Sequence, residues 1–439
     1  MRVSDGFRII RGRIWMVVNN YQQAKVRLDH GGIRVSFGEI LFFTGLVLWL
    51  IQFYISRTIF LELFGDKILT VTRYFCMLIF FVKIVLTETT LHKRAAAVFI
   101  TAAAVFIVVQ QNINTGMPLI QVLLMVYGAR NISFRRICKV SLAACVILWL
   151  IPILTYTVGY HELERSEING RVREYLNFVF VTFGAINFMN ILFCTFYVFT
   201  EPDRVGKNGG IEQRRTVPWP LIILMSAITV WLYMVTDTSL PFAICMLFIG
   251  MYVILVKFRI PVIRNNAPCR ILAMTFFPLA AYITYYVSKI YDPNVGWMSK
   301  LNKFTHKRVA YSKQGLDTYG VHLLGTQIKE NTDSTKGAYF YLDSAYIKDM
   351  IYFGLIVFIM ILVFYTIILY ASVLENDRTL AIWMISIALY SMFNNLLLLP
   401  AENASMFGIW YALDLLKWHS RKEHLQCTGN KRKKIEHAA

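Results

Sequence analysis

Apolar runs long enough to cross a bilayer recur from one end of this chain to the other, and no other feature constrains its fold as strongly. They lie at about residues 37–56, 68–87, 95–111, 114–128, 138–159, 176–199, 218–236, 239–258, 271–290, 347–372, 379–399 and 403–418. A helix needs about 20 apolar residues to cover ~30 Å of hydrocarbon. The pattern therefore predicts an all-α polytopic membrane protein of about twelve transmembrane helices. Continuous rather than alternating apolarity excludes a β-barrel. Composition agrees: 57% of the 439 residues are hydrophobic and only 16% are charged. A soluble chain of this length could not cover its surface with so few polar residues. A soluble enzyme and a disordered scaffold are both excluded.

The formal charge is +19, and its distribution orients the chain. Residues 1–36 carry seven Lys or Arg and no apolar run, so they read as a basic cytoplasmic leader and not a signal peptide. With that leader inside, 29 of the 45 cations fall on the inner side. Four fall outside, apart from nine between residues 289 and 348, in and beside one long loop. Cytoplasmic loops carry such an excess, which predicts an even number of spans with both termini cytoplasmic. The tail 419–439, with Lys431, Arg432, Lys433 and Lys434, reads as a topological anchor. The organisation is then leader, helices one to nine over 37–290, a large external loop 291–346, helices ten to twelve over 347–418, and the tail. No nucleic-acid role is implied by charge placed in this way.

Several chemistries are missing from the sequence. The seven cysteines have no zinc spacing and no pair in an external loop, so neither a disulfide framework nor a metal site is expected. There is no phosphate-loop, G-x-S-x-G or H-E-x-x-H motif. No Asp-x-Asp pair offers a divalent-ion site, and no cofactor is expected. Chains of Asp, Glu or His deep in the spans, which a proton-coupled transporter would use, are also missing.

Two external segments stand out, residues 160–175 and the 56-residue loop 291–346. Long loops in compact architectures usually carry function. On a single helical wheel over 297–311, Trp297, Leu301, Phe304 and Tyr311 form one stripe flanked by Lys300, Lys303 and Lys307. That is the pattern of an interfacial amphipathic helix. Arg308 falls within the stripe, about 20° from Trp297 at 100° per residue. A guanidinium there must snorkel, pair, or bind an anion such as a phosphate. His306 falls on the polar face. Arg171 and Arg173 sit at the external surface before span six, either as ordinary surface charges or as phosphate ligands. Arg73 lies about five residues into span two; it snorkels or marks a site. Asp343 and Glu402 abut span ends, where each could cap a helix, pair with an arginine, or act as a base.

An ordered set of short motifs resembles the Wzy-type polysaccharide polymerases, which build O-antigen, capsular and exopolysaccharide chains. The set is Leu301-Asn302 to Arg308-Val309, then Gly315-Leu316, Tyr319-Gly320, Leu323-Leu324-Gly325, Leu342-Asp343-Ser344-Ala345-Tyr346 and Tyr352-Phe353-Gly354-Leu355. The segment Asn394 to Asn403, with Glu402, is similar to the family's end, and Ala129 to Ile137 to its short basic link before span five. The family often has a Gly-Phe-x-x-x-Asn turn after the arginine before span six; here the run is Arg171-Val-Arg173-Glu-Tyr-Leu-Asn177, which leaves the matching arginine open. The resemblance implies a glycosyltransferase of the bacterial cytoplasmic (inner) membrane, working on undecaprenyl-diphosphate-linked oligosaccharides, with membrane lipid and a chain-length regulator as further partners. It implies catalytic roles among Arg308, Asp343, Glu402 and His306. It implies substrate or diphosphate binding by Arg171, Arg173, Arg73, Tyr346 and Asn403. His322 is a further candidate base. With no acidic cluster, transfer is expected to need no metal. A ligase of the O-antigen type and a flippase or transporter are the alternatives.

Overall fold

A computed structural model describes residues 26–27, 34–110, 113–159, 165–168, 171–201, 215–331 and 339–420. Nearly all of the leader and all but the first two residues of the tail lie outside this set. The described residues are mostly helical, with two small hairpins among them. After a two-residue strand pair, β1 (Val26–Arg27) and β2 (Arg34–Val35), come α1 (Phe37–Ile55), α2 (Leu61–Thr87), α3 (Thr90–Gln110), α4 (Ile113–Gly128) and α5 (Phe134–Thr157). The hairpin β3 (Arg165–Ile168) and β4 (Arg171–Glu174) leads to α6 (Phe183–Phe199), α7 (Trp219–Thr236) and α8 (Ser239–Tyr252), which runs on as a π-turn over Val253–Lys257. Then follow α9 (Ala267–Ile290), α10 (Gly296–Phe304), α11 (Arg308–Tyr319), α12 (Ala345–Tyr352), α13 (Gly354–Leu374), α14 (Arg378–Ser391), a 3-10 turn (Ala404–Gly408) and α15 (residues 409–420). Among the described residues seven helices are long and apolar enough to cross a membrane: α1, α2, α5, α7, α8 with its π-turn, α9 and α13. The protein is thus a polytopic membrane protein.

Local sequence explains where several helices begin and end. Ser36 opens α1 with a capping box: its hydroxyl accepts from Glu39 N at 3.2 Å, and Glu39 accepts from Ser36 N at 3.0 Å. This satisfies two donors that a helix start leaves unpaired. The run expected from 176 yields a helix only from Phe183, because Leu176 and Asn177 adopt positive φ and cannot continue a right-handed helix. Gly65, at φ +70°, interrupts the start of α2 in the same way.

Two short helices form the centre. Every residue of α6 from 184 to 197 is buried, and α14 is buried along most of its length. A helix that is apolar all round belongs inside. Trp383 on α14 packs its ring 5.9 Å from those of Phe193 and Tyr197 and 6.2 Å from that of Phe134. The longer apolar helices surround this centre and leave one face exposed, as Met234 on α7 and Ile271 on α9 show.

Three expected spans are not continuous helices. The run 347–372 is split at Gly354, whose φ of +82° separates α12 from α13. The run 379–399 is helical only to Ser391. The segment 392–403 is then irregular yet largely buried, and the last run begins as a 3-10 turn. Irregular backbone at depth is tolerated where protein surrounds it. Here side chains help to satisfy it: Asn190 Nδ2 donates to Ala401 O at 2.8 Å, Asn190 Oδ1 accepts from Ala404 N at 3.1 Å, and Tyr365 OH donates to Leu397 O.

The basic link 129–137 is a clamp at the far end of α6. Arg135 donates to the carbonyls of Tyr197, Val198 and Thr200, which a helix C-terminus leaves unpaired. Beside it Glu88 is fully buried and meets Lys83 at 3.0 Å together with Arg130.

Candidate functional site

The loop after α9 does not form the single amphipathic helix that its wheel predicts. It breaks at 305–307 into α10 and α11, and His306 and Lys307 take φ of +51° and +68° in succession. Consecutive left-handed residues other than glycine are costly. Asn302 holds them in place: its carbonyl accepts from Lys307 N at 2.8 Å and its Oδ1 from Ala310 N at 3.0 Å. Trp297 and Phe304 are exposed, whereas Met298 and Val309 are buried against Tyr291. Arg308 therefore leaves the expected stripe and becomes the first residue of α11.

There Arg308 Nε donates to Asp343 Oδ2 at 3.1 Å. The two side chains are 16% and 25% exposed. The terminal Nη1 and Nη2 of Arg308 donate to no group among the described residues, so the outward end of the guanidinium fork is left for a ligand. Burial pushes the Asp343 carboxyl above the usual range, while Arg308 pulls it down.

Asp343 is held by its surroundings. Ser344 caps α12 by accepting from Ile347 N at 3.4 Å, and Leu342 N donates to Glu330 at 3.0 Å. Glu330 in turn binds Lys348 with both oxygens at 2.8 Å. Beneath them residues 322–326 cross the start of α13: Leu355 N donates to His322 O at 3.0 Å, and Thr326 N to Ile351 O at 2.7 Å. Gly325 and Gly354 sit at the crossing, both with φ above +80°. A Cβ on Gly325 would meet Gly354 N at 2.6 Å, and one on Gly354 would meet Leu323 O at 2.5 Å. Only glycine permits this approach.

The second arginine arrives from the hairpin. Its register sets Arg173 opposite Ser166 and Arg171 opposite Ile168. Half-buried Arg173 donates from Nε to Thr236 O at 3.0 Å, at the end of α7. Asp237, in the left-handed conformation at φ +48°, turns the chain into α8. Arg173, Asp237 and Arg308 all act on His306. Partial loss of water around the ring, then the charges of Arg308 and Arg173, push its imidazole below the usual range, and Asp237 opposes them. Arg173, His306 and Arg308 thus form one basic cluster at the end of the molecule that carries the α7–α8 turn.

The other candidates divide. Glu402 lies deeper, 2% exposed in the irregular segment. Burial raises its carboxyl and Arg57 opposes the rise. Arg57 lies over the rings of Phe183 and Phe53, at 4.1 and 5.0 Å. Tyr390 is within electrostatic reach of both Arg308 and Glu402, so it stands between cluster and interior. Asn403 donates to Tyr365 OH at 2.9 Å and accepts from Ser405 at 2.5 Å. Tyr346, buried, donates to Ala388 O at 3.0 Å. These last two tie helices together. Arg73 is exposed on α2, with no hydrogen bond or ion pair among the described residues. His322 is exposed, with Nε2 3.0 Å from Tyr319 O. The side chain of Arg171 lies outside the described atoms. Sequence reasoning missed Asp237 and Tyr390, which have no motif, and gave Asn302 no role, although its place six residues before Arg308 was visible.

Comparison of the chain with protein-family models, curated proteins and solved structures gives no match. The functional reading rests on these residues.

Proposed function

We propose that this protein is a polysaccharide polymerase of the bacterial cytoplasmic membrane. It joins oligosaccharide repeat units carried on undecaprenyl diphosphate at the external face. On this reading α3, α4, α6, α14 and α15 also cross or line the membrane, giving twelve spans with both termini cytoplasmic. The basic cluster then faces outward.

The observation that carries the proposal is Arg308. Its Nε is fixed by Asp343, and its outward nitrogens have no partner among the described residues and lie within electrostatic reach of His306, as Arg173 does. A guanidinium anchored at one edge presents a rigid fork to phosphate oxygens. In the transfer an acceptor hydroxyl oxygen bonds to the donor's anomeric carbon as that carbon's bond to the diphosphate oxygen breaks. Arg308 and Arg173 stabilise the charge that develops on the leaving diphosphate. The hydroxyl proton passes to His306, whose depressed basicity keeps the imidazole neutral and able to accept it near neutral pH. Asp343, engaged by Arg308, positions the fork.

A strain lacking the protein should still export single repeat units and attach them, but not join them into long chains on a glycan gel. Units trapped on the cytoplasmic face would show a flippase, and long chains left on the carrier lipid would show a ligase. The proposed transfer is metal-independent, so purified protein should polymerise lipid-linked units in excess EDTA; activity that only magnesium or manganese restores would contradict that part.

A further inference from the structure

Arg57, two residues beyond α1, is a built cation with nothing bound to its donors. Its backbone is locked. Val179 N donates to Arg57 O at 2.9 Å, Ile59 N donates to Asn177 O at 3.2 Å, and Thr58 bridges Phe178. Leu176 and Asn177, at φ of +53° and +62°, turn the chain into this pairing. Its side chain is held by its flat face. Cζ lies 4.1 Å from the centroid of the Phe183 ring and 5.0 Å from that of Phe53. A cation–π contact engages the plane of a guanidinium and leaves its edge, where the five N–H donors lie, open. Those donors have no hydrogen-bond or ion-pair partner among the described residues. Glu402 acts on Arg57 electrostatically but forms no ion pair with it, so no carboxylate occupies the fork. Arg57 is partly exposed. The pairing sets it beside Val179, six residues from Arg173 and thus at most about 22 Å away along the backbone. It therefore lies at the same end of the molecule as the basic cluster, as a separate point of charge.

A guanidinium fixed by its face and open at its edge is pre-organised for a phosphate, which takes two parallel hydrogen bonds in that plane. The residues next to it favour a phosphate carried on lipid over a free ion. Val179 and Phe180 are exposed, and Phe180 packs edge-on to Phe183 at 5.3 Å. The lipid tail stays in the bilayer and needs no pocket in the protein. The polymerase reaction has two lipid-linked partners. The donor loses its diphosphate, and the acceptor keeps its own, with the acceptor's sugars between the two. Both diphosphates cannot sit on Arg308, and their mutual repulsion falls as they are held apart. We propose that Arg57 holds the diphosphate of the acceptor unit, while Arg308 and Arg173 hold that of the donor. The assignment to an acceptor unit rests on the polymerase reading; the lipid-phosphate site at Arg57 does not.

The test uses the full chain in phosphatidylcholine nanodiscs, titrated with undecaprenyl diphosphate that carries no sugar. Native mass spectrometry counts the lipids bound. The unaltered protein should hold two diphosphates at saturation. Arg57→Ala and Arg308→Ala should each hold one, the other being bound about 10- to 100-fold more weakly, the loss expected for charged hydrogen bonds. Should Arg57→Ala fail to fold, Phe183→Leu keeps the guanidinium but removes one stacking ring, and it should weaken the same site. One diphosphate at saturation in the unaltered protein, or two kept by Arg57→Ala, would overturn the proposal and reduce Arg57 to a counter-charge for Glu402. Equal uptake of neutral undecaprenol, or equal displacement by phosphatidylglycerol or inorganic phosphate, would overturn it as well. Two diphosphates lost singly by the two variants, without polymer formation from lipid-linked units, would keep the site and sink the polymerase reading. Unaltered polymer yield from Arg57→Ala would keep that reading and sink the site.

Discussion

Arg308 combines a fixed edge with a free one, and that division sets what substitution should do. Lysine can reach either Asp343 or a phosphate, but its point charge cannot do both in fixed geometry. Arg308→Lys should therefore lose nearly as much polymer formation as Arg308→Ala, about 10- to 100-fold, as expected for 1.5–3 kcal/mol of charged hydrogen bonding. Asp343→Asn keeps an acceptor for Nε and should lose far less. The measurement is polymer yield at matched protein level, and full yield from Arg308→Ala would remove it from the site. A different residue governs pH. Asp349 is buried on α12, outside the span that begins at Gly354, and its Oδ2 has no hydrogen-bond partner among the described residues. Burial pushes its carboxyl up to about 7, with Lys348 opposing. The folded state thus holds a proton that the unfolded state releases near pH 4. Stability from this group falls as pH rises from about 4 to about 7, by at most ~1.4 kcal/mol per unit, and is flat above. Asp349→Asn should flatten thermal stability between pH 5 and 7 relative to the unaltered protein and melt higher at pH 8. An unchanged pH slope in a thermal-shift assay would show that Asp349 is not the titrating group.

At the scale of elements, the site depends on one crossing of backbone over backbone. Residues 322–326 lie across the start of α13, and Gly325 and Gly354 each fill space that a Cβ would take from the other strand. Gly354→Ala combines a left-handed φ with a collision against backbone, which cannot move aside as a side chain can. It should cost several kcal/mol, at the high end for point mutations, and should free the segment carrying Glu330 and Asp343. Limited proteolysis between 320 and 345 reads this directly; cleavage no faster than in the unaltered protein would refute it. Both glycines stood out in the sequence as parts of motifs, but their φ did not, because a motif does not say which chains cross. The same limit explains the amphipathic wheel over 297–311. The wheel treats 297–311 as one helix, but the helix stops where Asn302 accepts from Lys307 N and Ala310 N. Side-chain capture of backbone donors ends a helix without altering its hydrophobic period. Positions of the apolar runs were legible to within a few residues for most helices. The irregular backbone at 392–403 was not, since Leu396–Leu399 reads as apolar whether or not it is helical.

At the scale of the molecule, the two ends of α6 separate two kinds of charge. Arg135 and the Lys83–Glu88–Arg130 group are absorbed by backbone and partners at its C-terminal end. Arg173, His306 and Arg308 gather near its N-terminal end, where the outward nitrogens of Arg308 have no partner among the described residues. About 25 Å lies between them for 17 residues of helix. Charge counts along the sequence could say that cations favour one side, but not which cations were already engaged by the fold. The long loop 291–346 carries seven Lys or Arg and is the exception to the expected inner excess; its Arg308 is held by Asp343, and Lys348 just beyond it by Glu330, so these two charges are engaged by the fold itself. The orientation is then testable without any assay of activity. Reporter fusions after Thr238, in the α7–α8 turn, and near Asn331, in the long loop, should give an outside signal, and a fusion after Gly209 an inside one. Thr238 and Asn331 must agree with each other, because Arg173 and Arg308 act on the same His306. An inside signal at both would put the basic cluster in the cytoplasm, out of reach of lipid-linked units on the external face, and would end the polymerase reading whatever the chemistry of Arg308.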